Sequence, residues 1–166
     1  PLARAYVPMD GRLANEWTHV DFDDSEWLKG IGLVGFATHP KFELGLDIKS
    51  QMYRNNATAL VRFPFNWDEV NRREILKLDV MFDDAFVAYL NGTEVARANA
   101  PTQPVWDSNA VIPRLSADEG SFEVFDLSDS RHLLQPGKNV LAIQLLNVTA
   151  VNSDAFVLPR LQLGTV

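Results

Sequence analysis

ILKLDVMFDDAFVAYLNGTEVARA, residues Ile75 to Ala98, decides the fold of this chain. In its first part Leu76, Leu78, Val80 and Phe82 alternate with Lys77, Asp79 and Met81, the period of two expected of a strand with one buried face. After Asp83-Asp84 the chain resumes as a second strand over Ala85 to Leu90. Asn91-Gly92 follows, the pair best suited to the positive φ angles of a type I′ hairpin turn. Thr93 to Ala98 is therefore predicted to run back antiparallel to Ala85–Leu90. No helical spacing interrupts these residues, so the chain reads as a β-protein.

Upstream, Ala57 to Trp67 alternates again, with Leu60, Arg62 and Pro64 on one side and Val61, Phe63 and Phe65 on the other. Pro64 cannot donate to a ladder, which predicts an edge or an irregularity there. Arg62 lies in an apolar run and needs an acceptor if buried; Asp83 or Asp84 is the expected partner. Leu46 to Met52 is predicted as a further strand, separated from this one by the Arg54-Asn55-Asn56 turn. Arg4 to Pro8 makes a short strand that closes at Asp10-Gly11. In Trp17 to Trp27, WTHVDFDDSEW, Asp24 or Ser25 is placed to cap a short helical turn with Trp17, Phe22 and Trp27 pointing inward. Gly30, Gly32 and Gly35 lack the Lys-Ser/Thr ending of a phosphate loop and read as turn and close-packing positions. Phe36 to Leu46 reads as an irregular loop whose His39-Pro40 and Phe42 could reach a ligand.

Downstream, Asn99 to Gly120 loses periodicity and carries Pro101, Pro104 and Pro113. Irregular stretches longer than ~12–15 residues are usually functional or disordered, and this one holds Trp106. Ser121 to Leu127 resumes a strand, and Ser128 to Leu134 has room for two helical turns at most. Asn139 to Asn147, NVLAIQLLN, is apolar on both faces and is predicted to be central. Asn147 to Asp154 is a polar loop, and Ala155 to Leu163 a final strand interrupted by Pro159. Eight or nine strands with little helix predict an all-β, antiparallel β-sandwich in a single domain over residues 1–166.

Composition narrows the function. A chain of 166 residues, 46% hydrophobic and 22% charged, has the material for a substantial core. No apolar run approaches the ~18 residues of a membrane span. Twenty-two acidic against fifteen basic side chains argue against a nucleic-acid partner, which needs a concentrated basic face; Arg62, Arg72 and Arg73 are too scattered to supply one. With no cysteine there is no disulfide framework, thiolate metal site or cysteine nucleophile. His19, His39 and His132 are too dispersed for a catalytic triad or a histidine metal site. Asp83 and Asp84, adjacent in an extended chain, point to opposite faces and do not converge as a glycosidase pair. The opening Pro1-Leu2-Ala3-Arg4, without an initiator Met or a signal segment, reads as the start of a module cut from a longer protein.

Three segments carry a resemblance. Trp17 with DFDDSEW (Asp21 to Trp27), VRFPF (Val61 to Phe65) followed by MFDDAFVAYLNGTEVA, and LLQPGKNVLAIQLLN (Leu133 to Asn147) together resemble the galactose-binding-like jelly-roll domains. The N-terminal sugar-binding domain of family 2 glycoside hydrolases shows a similar order of signals. MYRNNATALVRFPF, FDDAFVAYLNGTEVARANAP and WDS resemble more closely a module of large secreted bacterial proteins. Ala85 and Asp107 depart from that module, which usually has Gly and Asn there.

The resemblance implies a non-catalytic carbohydrate-binding module that anchors a larger secreted or cell-surface protein to a polysaccharide or oligosaccharide. The competing reading is a structural or adhesive spacer between other domains of the same chain. Sugar binding requires an aromatic face for the apolar side of the ring and planar polar groups for its hydroxyls. Trp106, with Asp107, Asn109, Arg97 and Asn99 nearby in sequence, has that chemistry. Trp67 with Asn66, and Tyr53 with Arg54 and Asn55, form a second possible platform. Folds of this kind often hold a structural calcium ion, for which Asp21, Asp24, Asn152 and Asp154 are the expected oxygen donors. The sequons at Asn56, Asn91 and Asn147 are read as chance, since Asn91-Gly92 already has a turn role.

Overall fold

The computed structural model describes residues 1–37, 42–68, 75–115, 118 and 120–164. Within them, eleven strands form two sheets. The six-stranded sheet runs in the order β2 (Leu28–Ile31), β1 (Leu2–Tyr6), β5 (Thr58–Trp67), β10 (Gly137–Leu146), β7 (Ala85–Leu90), β8 (Thr93–Ala98). The five-stranded sheet runs β4 (Leu46–Asp47), β3 (Val34–Ala37), β11 (Asp154–Gly164), β6 (Ile75–Asp83), β9 (Glu123–Asp126). Among the described residues only β3 and β4 pair in parallel. The architecture is the predicted all-β sandwich. The strands beyond the predicted eight or nine are β2 and β3, two short strands that occupy what reads in sequence as glycine turns and the start of a loop.

The core forms where alternating positions of the two sheets meet. Leu76, Leu78, Val80 and Phe82 of β6 face Val61 and Phe63 of β5, Phe86, Ala88 and Leu90 of β7, and Leu141, Ile143 and Leu145 of β10, all buried. Phe82 and Phe86 meet across the layer edge to face, with ring centroids 4.8 Å apart at 68°. Strand β10 is central, as its two-sided apolarity predicts, lying between β5 and β7. His39-Pro40 and Arg72-Arg73 lie outside the described residues.

Between β6 and β7 the chain crosses from one sheet to the other, and the Asp83-Asp84 peptide at the crossing is cis. The β7–β8 hairpin turns at Asn91 and Gly92, with φ of 49° and 92°. Asn91 also ties the turn down: Nδ2 donates to Leu133 O and Asn139 Oδ1, both at 2.8 Å, and Oδ1 accepts from Val140 N at 2.8 Å. At Gly92 a Cβ would stand 2.8 Å from the His19 ring. Gly92→Ala therefore combines left-handed backbone strain with a side-chain clash. Its expected cost is more than about 1 kcal/mol, read as a lower urea midpoint with an unchanged m-value.

Two local expectations are corrected. Leu46 to Met52 is not one strand: after Leu46–Asp47, Asp47 Oδ1 accepts from Lys49 N at 2.8 Å and starts a single helical turn, Lys49–Met52, that buries Met52. The helical turn of the tryptophan segment lies at Glu16–Thr18, while Asp24 and Ser25 sit in a hydrogen-bonded turn in which Trp27 N donates to Asp24 O at 3.0 Å.

The prolines have a common explanation. Strand β1 is paired with β5 only over Leu60–Arg62, so Pro64 is paired with Val140 of β10 on one side and lies beyond the last β1–β5 pair on the other. In β11, β3 pairs with Asp154–Val157, and Pro159 faces Val80 of β6 beyond that point. The strand is continuous through Pro159 rather than interrupted. Each proline occupies a position with a ladder on one side, where a missing N–H is tolerated.

The outer face of the six-stranded sheet is also covered. Trp17 and Trp27 pack on Leu60 and Ala142 with Tyr6, Phe22 and Tyr89 around them; Tyr6 and Trp27 stack at 5.4 Å. Farther along, Ala110 with half-buried Ala100 covers Ala85, Val87 and Leu146. The segments before β2 and after β8 thus lie across the sheet, and their attachment creates the candidate site.

Candidate functional site

Side chains on the outer face of β5 hold these two segments. Just ahead of the strand, Asn56 Nδ2 donates to Pro8 O at 2.9 Å and to Trp106 O at 3.1 Å. Its Oδ1 accepts from Thr58 N at 3.0 Å. Thr58 Oγ1 then donates to Ser108 O at 2.8 Å, and on the neighbouring strand Gln144 Nε2 donates to Val105 O at 2.8 Å. The main chain on both sides of Trp106 is pinned to the sheet through buried donors. Asn56, with both amide hydrogens engaged and 6% exposure, is a structural residue, consistent with its sequon arising by chance.

Trp106 is 37% exposed. Its indole lies on Gly11, where a Cβ would stand 2.9 Å from Cδ1. Asp10, Asn15, Trp17, Pro104 and Gln144 line a cleft with it. Gly11 is needed for this approach, and the Asp10-Gly11 turn, read in sequence as a strand terminator, is the signal that marks it.

The polar companions expected from sequence proximity go elsewhere. Arg97 forms a fork with Glu94, 2.6 and 2.9 Å, and donates to Pro101 O at 2.7 Å. The Glu94 hydrogen bond holds its pKa above the ordinary value. Asn99 takes a positive φ of 56° and donates from Nδ2 to Asp84 O at 3.0 Å. Asn109 donates to Val148 O at 2.9 Å. Asp107 stays exposed beside Trp106. These residues, Asp107 aside, are held by backbone carbonyls or Glu94; the cleft beside the indole is lined instead by Asp10, whose Oδ1 accepts from Arg12, by Asn15, and by Gln144, which is tied to Val105 O. Trp67 is half-buried at the end of β5, opposite Gly137. Tyr53 is half-buried against Phe36, with the Arg54 guanidinium 5.2 Å and the Lys49 ammonium 5.8 Å from its ring centroid.

Arg62 is buried, and its partner is Asp24, not Asp83 or Asp84: Nε donates to Asp24 Oδ2 at 2.7 Å. The remaining guanidinium nitrogens donate to the carbonyls of Trp17, His19 and Phe22. One side chain thereby holds the whole tryptophan segment, which no neighbour in sequence predicts. Asp84 instead accepts two backbone N–H groups, from Arg114 on Oδ1 and Val148 on Oδ2, each at 2.8 Å.

The four expected calcium donors do not fit an ion together. Both Asp24 oxygens face guanidinium groups, Arg62 at 2.7 Å and Arg4 at 3.7 Å. Asn152 Oδ1 accepts from Ser153 N at 2.6 Å, and Asp154 Oδ1 from Ser153 Oγ at 3.1 Å. Asp24 pairs over the six-stranded sheet, Asp154 heads a strand of the five-stranded one, and Asp21 is exposed. Among the described residues no three His, Asp or Glu side chains gather as a metal site.

No protein-family model matches the sequence, and no curated protein matches it. Solved structures do. A β-glucuronidase from Ruminococcus gnavus superposes with a TM-score of 0.53 at 12% identity, covering 89% of this chain and 20% of its own. A glycosyl hydrolase family 2 member from Bacteroides cellulosilyticus gives 0.50 at 14%, covering 95% and 20%. A Bacteroides uniformis β-glucuronidase gives 0.51 at 13%, covering 93% and 16%. The chain spans a fifth or less of the length of these enzymes. The likeness is one of fold, and it agrees with the resemblance to the sandwich domain of family 2 glycoside hydrolases.

Proposed function

We propose that the chain is a non-catalytic carbohydrate-binding module of a larger secreted or cell-surface protein, and that it takes its polysaccharide or oligosaccharide at the Trp106 cleft. The supporting observation is an exposed indole whose main chain is fastened by Asn56, Thr58 and Gln144. A rigid aromatic face stacks on the apolar side of a sugar ring at little entropic cost. Asp10, Asn15 and Asp107 bring polar groups to the same region. The carboxylates of Asp84 and Asp24 have structural roles: Asp84 holds two backbone N–H groups and Asp24 pairs with Arg62. Among the described residues no helix is long and apolar enough to cross a membrane.

Trp106→Ala is expected to weaken glycan binding at least tenfold, about 1.4 kcal/mol, with a melting temperature within a few degrees of the parent. Screening against plant, algal and host polysaccharides, followed by this variant, reads both quantities. Full retention of binding moves the site off Trp106. The spacer reading has its own support, because the fingerprint residues Asn56, Thr58, Arg62, Asp84 and Asn91 all act as internal fasteners. A screen with no binding partner favours it.

A further inference from the structure

A second groove lies on the outer face of the same sheet, beyond the tryptophan segment. Cross-strand pairing sets Arg4 of β1 beside Arg62 of β5, then Pro64 beside Val140 of β10, then Asn66 beside Lys138. Phe22 and Asp24 line it from above, and the groove holds about 380 Å³. That volume is within the range of small-ligand sites.

Its charge is unbalanced. Arg4, Arg62 and Lys138 share one carboxylate, Asp24. Arg62 is satisfied, since Asp24 Oδ2 and three carbonyls take its donors. Arg4 is not: its Nε is shielded from solvent without a hydrogen-bond partner, and Asp24 Oδ1 is 3.7 Å away, too far for a hydrogen bond. Keeping such a donor unpaired is unfavourable, and an incoming acceptor would allow the guanidinium to rearrange and use its fork. Lys138 is exposed at the far end.

We propose that this groove binds an acidic oligosaccharide, with a carboxylate on Arg4, a second acidic group near Lys138, and the sugar rings between them over Pro64, Val140 and Phe22. From the Arg4–Arg62 row to the Asn66–Lys138 row is four residues along β5, ~13 Å at ~3.3 Å per residue. That exceeds one sugar ring, so the ligand is an oligosaccharide. The chain's net charge of −7 does not prevent this, because charges more than ~10 Å away are largely screened at 0.1 M salt. The proposal does not rest on the Trp106 cleft.

Calorimetric titration of the chain with tetragalacturonate and with its carboxyl-reduced counterpart tests the groove. The expected result is binding of the acidic tetramer only, weakened at least tenfold by Arg4→Gln and severalfold by Lys138→Gln, and unchanged by Trp106→Ala. Lys138→Gln is at an exposed position and keeps the test decisive if Arg4→Gln folds poorly. Three results overturn the proposal: no binding of tetragalacturonate, equal binding of the reduced tetramer, or affinity unchanged in both groove variants. Equal affinity for dextran sulfate also overturns it, since the groove would then attract any polyanion.

Discussion

Arg62→Leu is expected to lower the melting temperature by roughly 6–20 °C. Removing one partner of a buried ion pair costs ~3–5 kcal/mol, and a chain of this length loses ~2–4 °C per kcal/mol. The reason is what Arg62 leaves behind: an Asp24 with only the more distant Arg4, 3.7 Å away, and the carbonyls of Trp17, His19 and Phe22 without their donor. The tryptophan segment then lies on Leu60 and Ala142 by apolar contact alone. Thermal unfolding followed by tryptophan fluorescence should show both the lower midpoint and a red-shifted native spectrum, as Trp17 and Trp27 gain water. A native spectrum and midpoint equal to the parent's would mean that the segment is held by its aromatic packing and that the ion pair is incidental.

Asp84→Asn is expected to cost ~2–3 kcal/mol, or about 4–12 °C in melting temperature. Asparagine has the same shape but only one acceptor oxygen. Since Asp84 accepts from Arg114 N and Val148 N on separate oxygens, the amide nitrogen must confront one of these donors. The effect should spread to two loops, because Arg114 ends the stretch that carries Trp106 and Val148 begins the 147–153 loop. Hydrogen exchange at these two amides distinguishes this mechanism from general destabilisation: they should lose protection before the amides of β10 do. Uniform loss of protection would point to another cause.

Much of the fold is legible in the sequence because it depends on short-range periodicity. The alternation of Leu76, Leu78, Val80 and Phe82 gives the buried face of β6, Asn91-Gly92 gives the hairpin, and the two-sided apolarity of Asn139–Asn147 gives the central strand. Leu46 to Met52 fails because Asp47 takes the Lys49 N–H and begins a helical turn, a choice that a short apolar run does not reveal. Arg62 was identifiable as needing a partner, but Asp24 lies 38 residues away in a segment whose path over the sheet is set by tertiary packing.

The candidate site divides in the same way. Trp106 stands out as an aromatic in an aperiodic loop, and it is exposed. Its expected companions Arg97, Asn99 and Asn109 are close in sequence, but backbone carbonyls draw them in: Pro101 O within the loop for Arg97, and Asp84 O and Val148 O in flanking segments for Asn99 and Asn109. Asp10, Asn15 and Gln144 line the same cleft from distant segments, beyond what local spacing can show.

Pro64 and Pro159 have a further consequence for how the protein behaves among copies of itself. Pro159 lies beyond the end of its shorter neighbour β3, and Pro64 beyond the last β1–β5 pair, where exposed backbone could template a strand from another molecule. A proline offers no N–H to such an intruder. The overhangs that complete the sandwich are thus poor seeds for edge-to-edge aggregation.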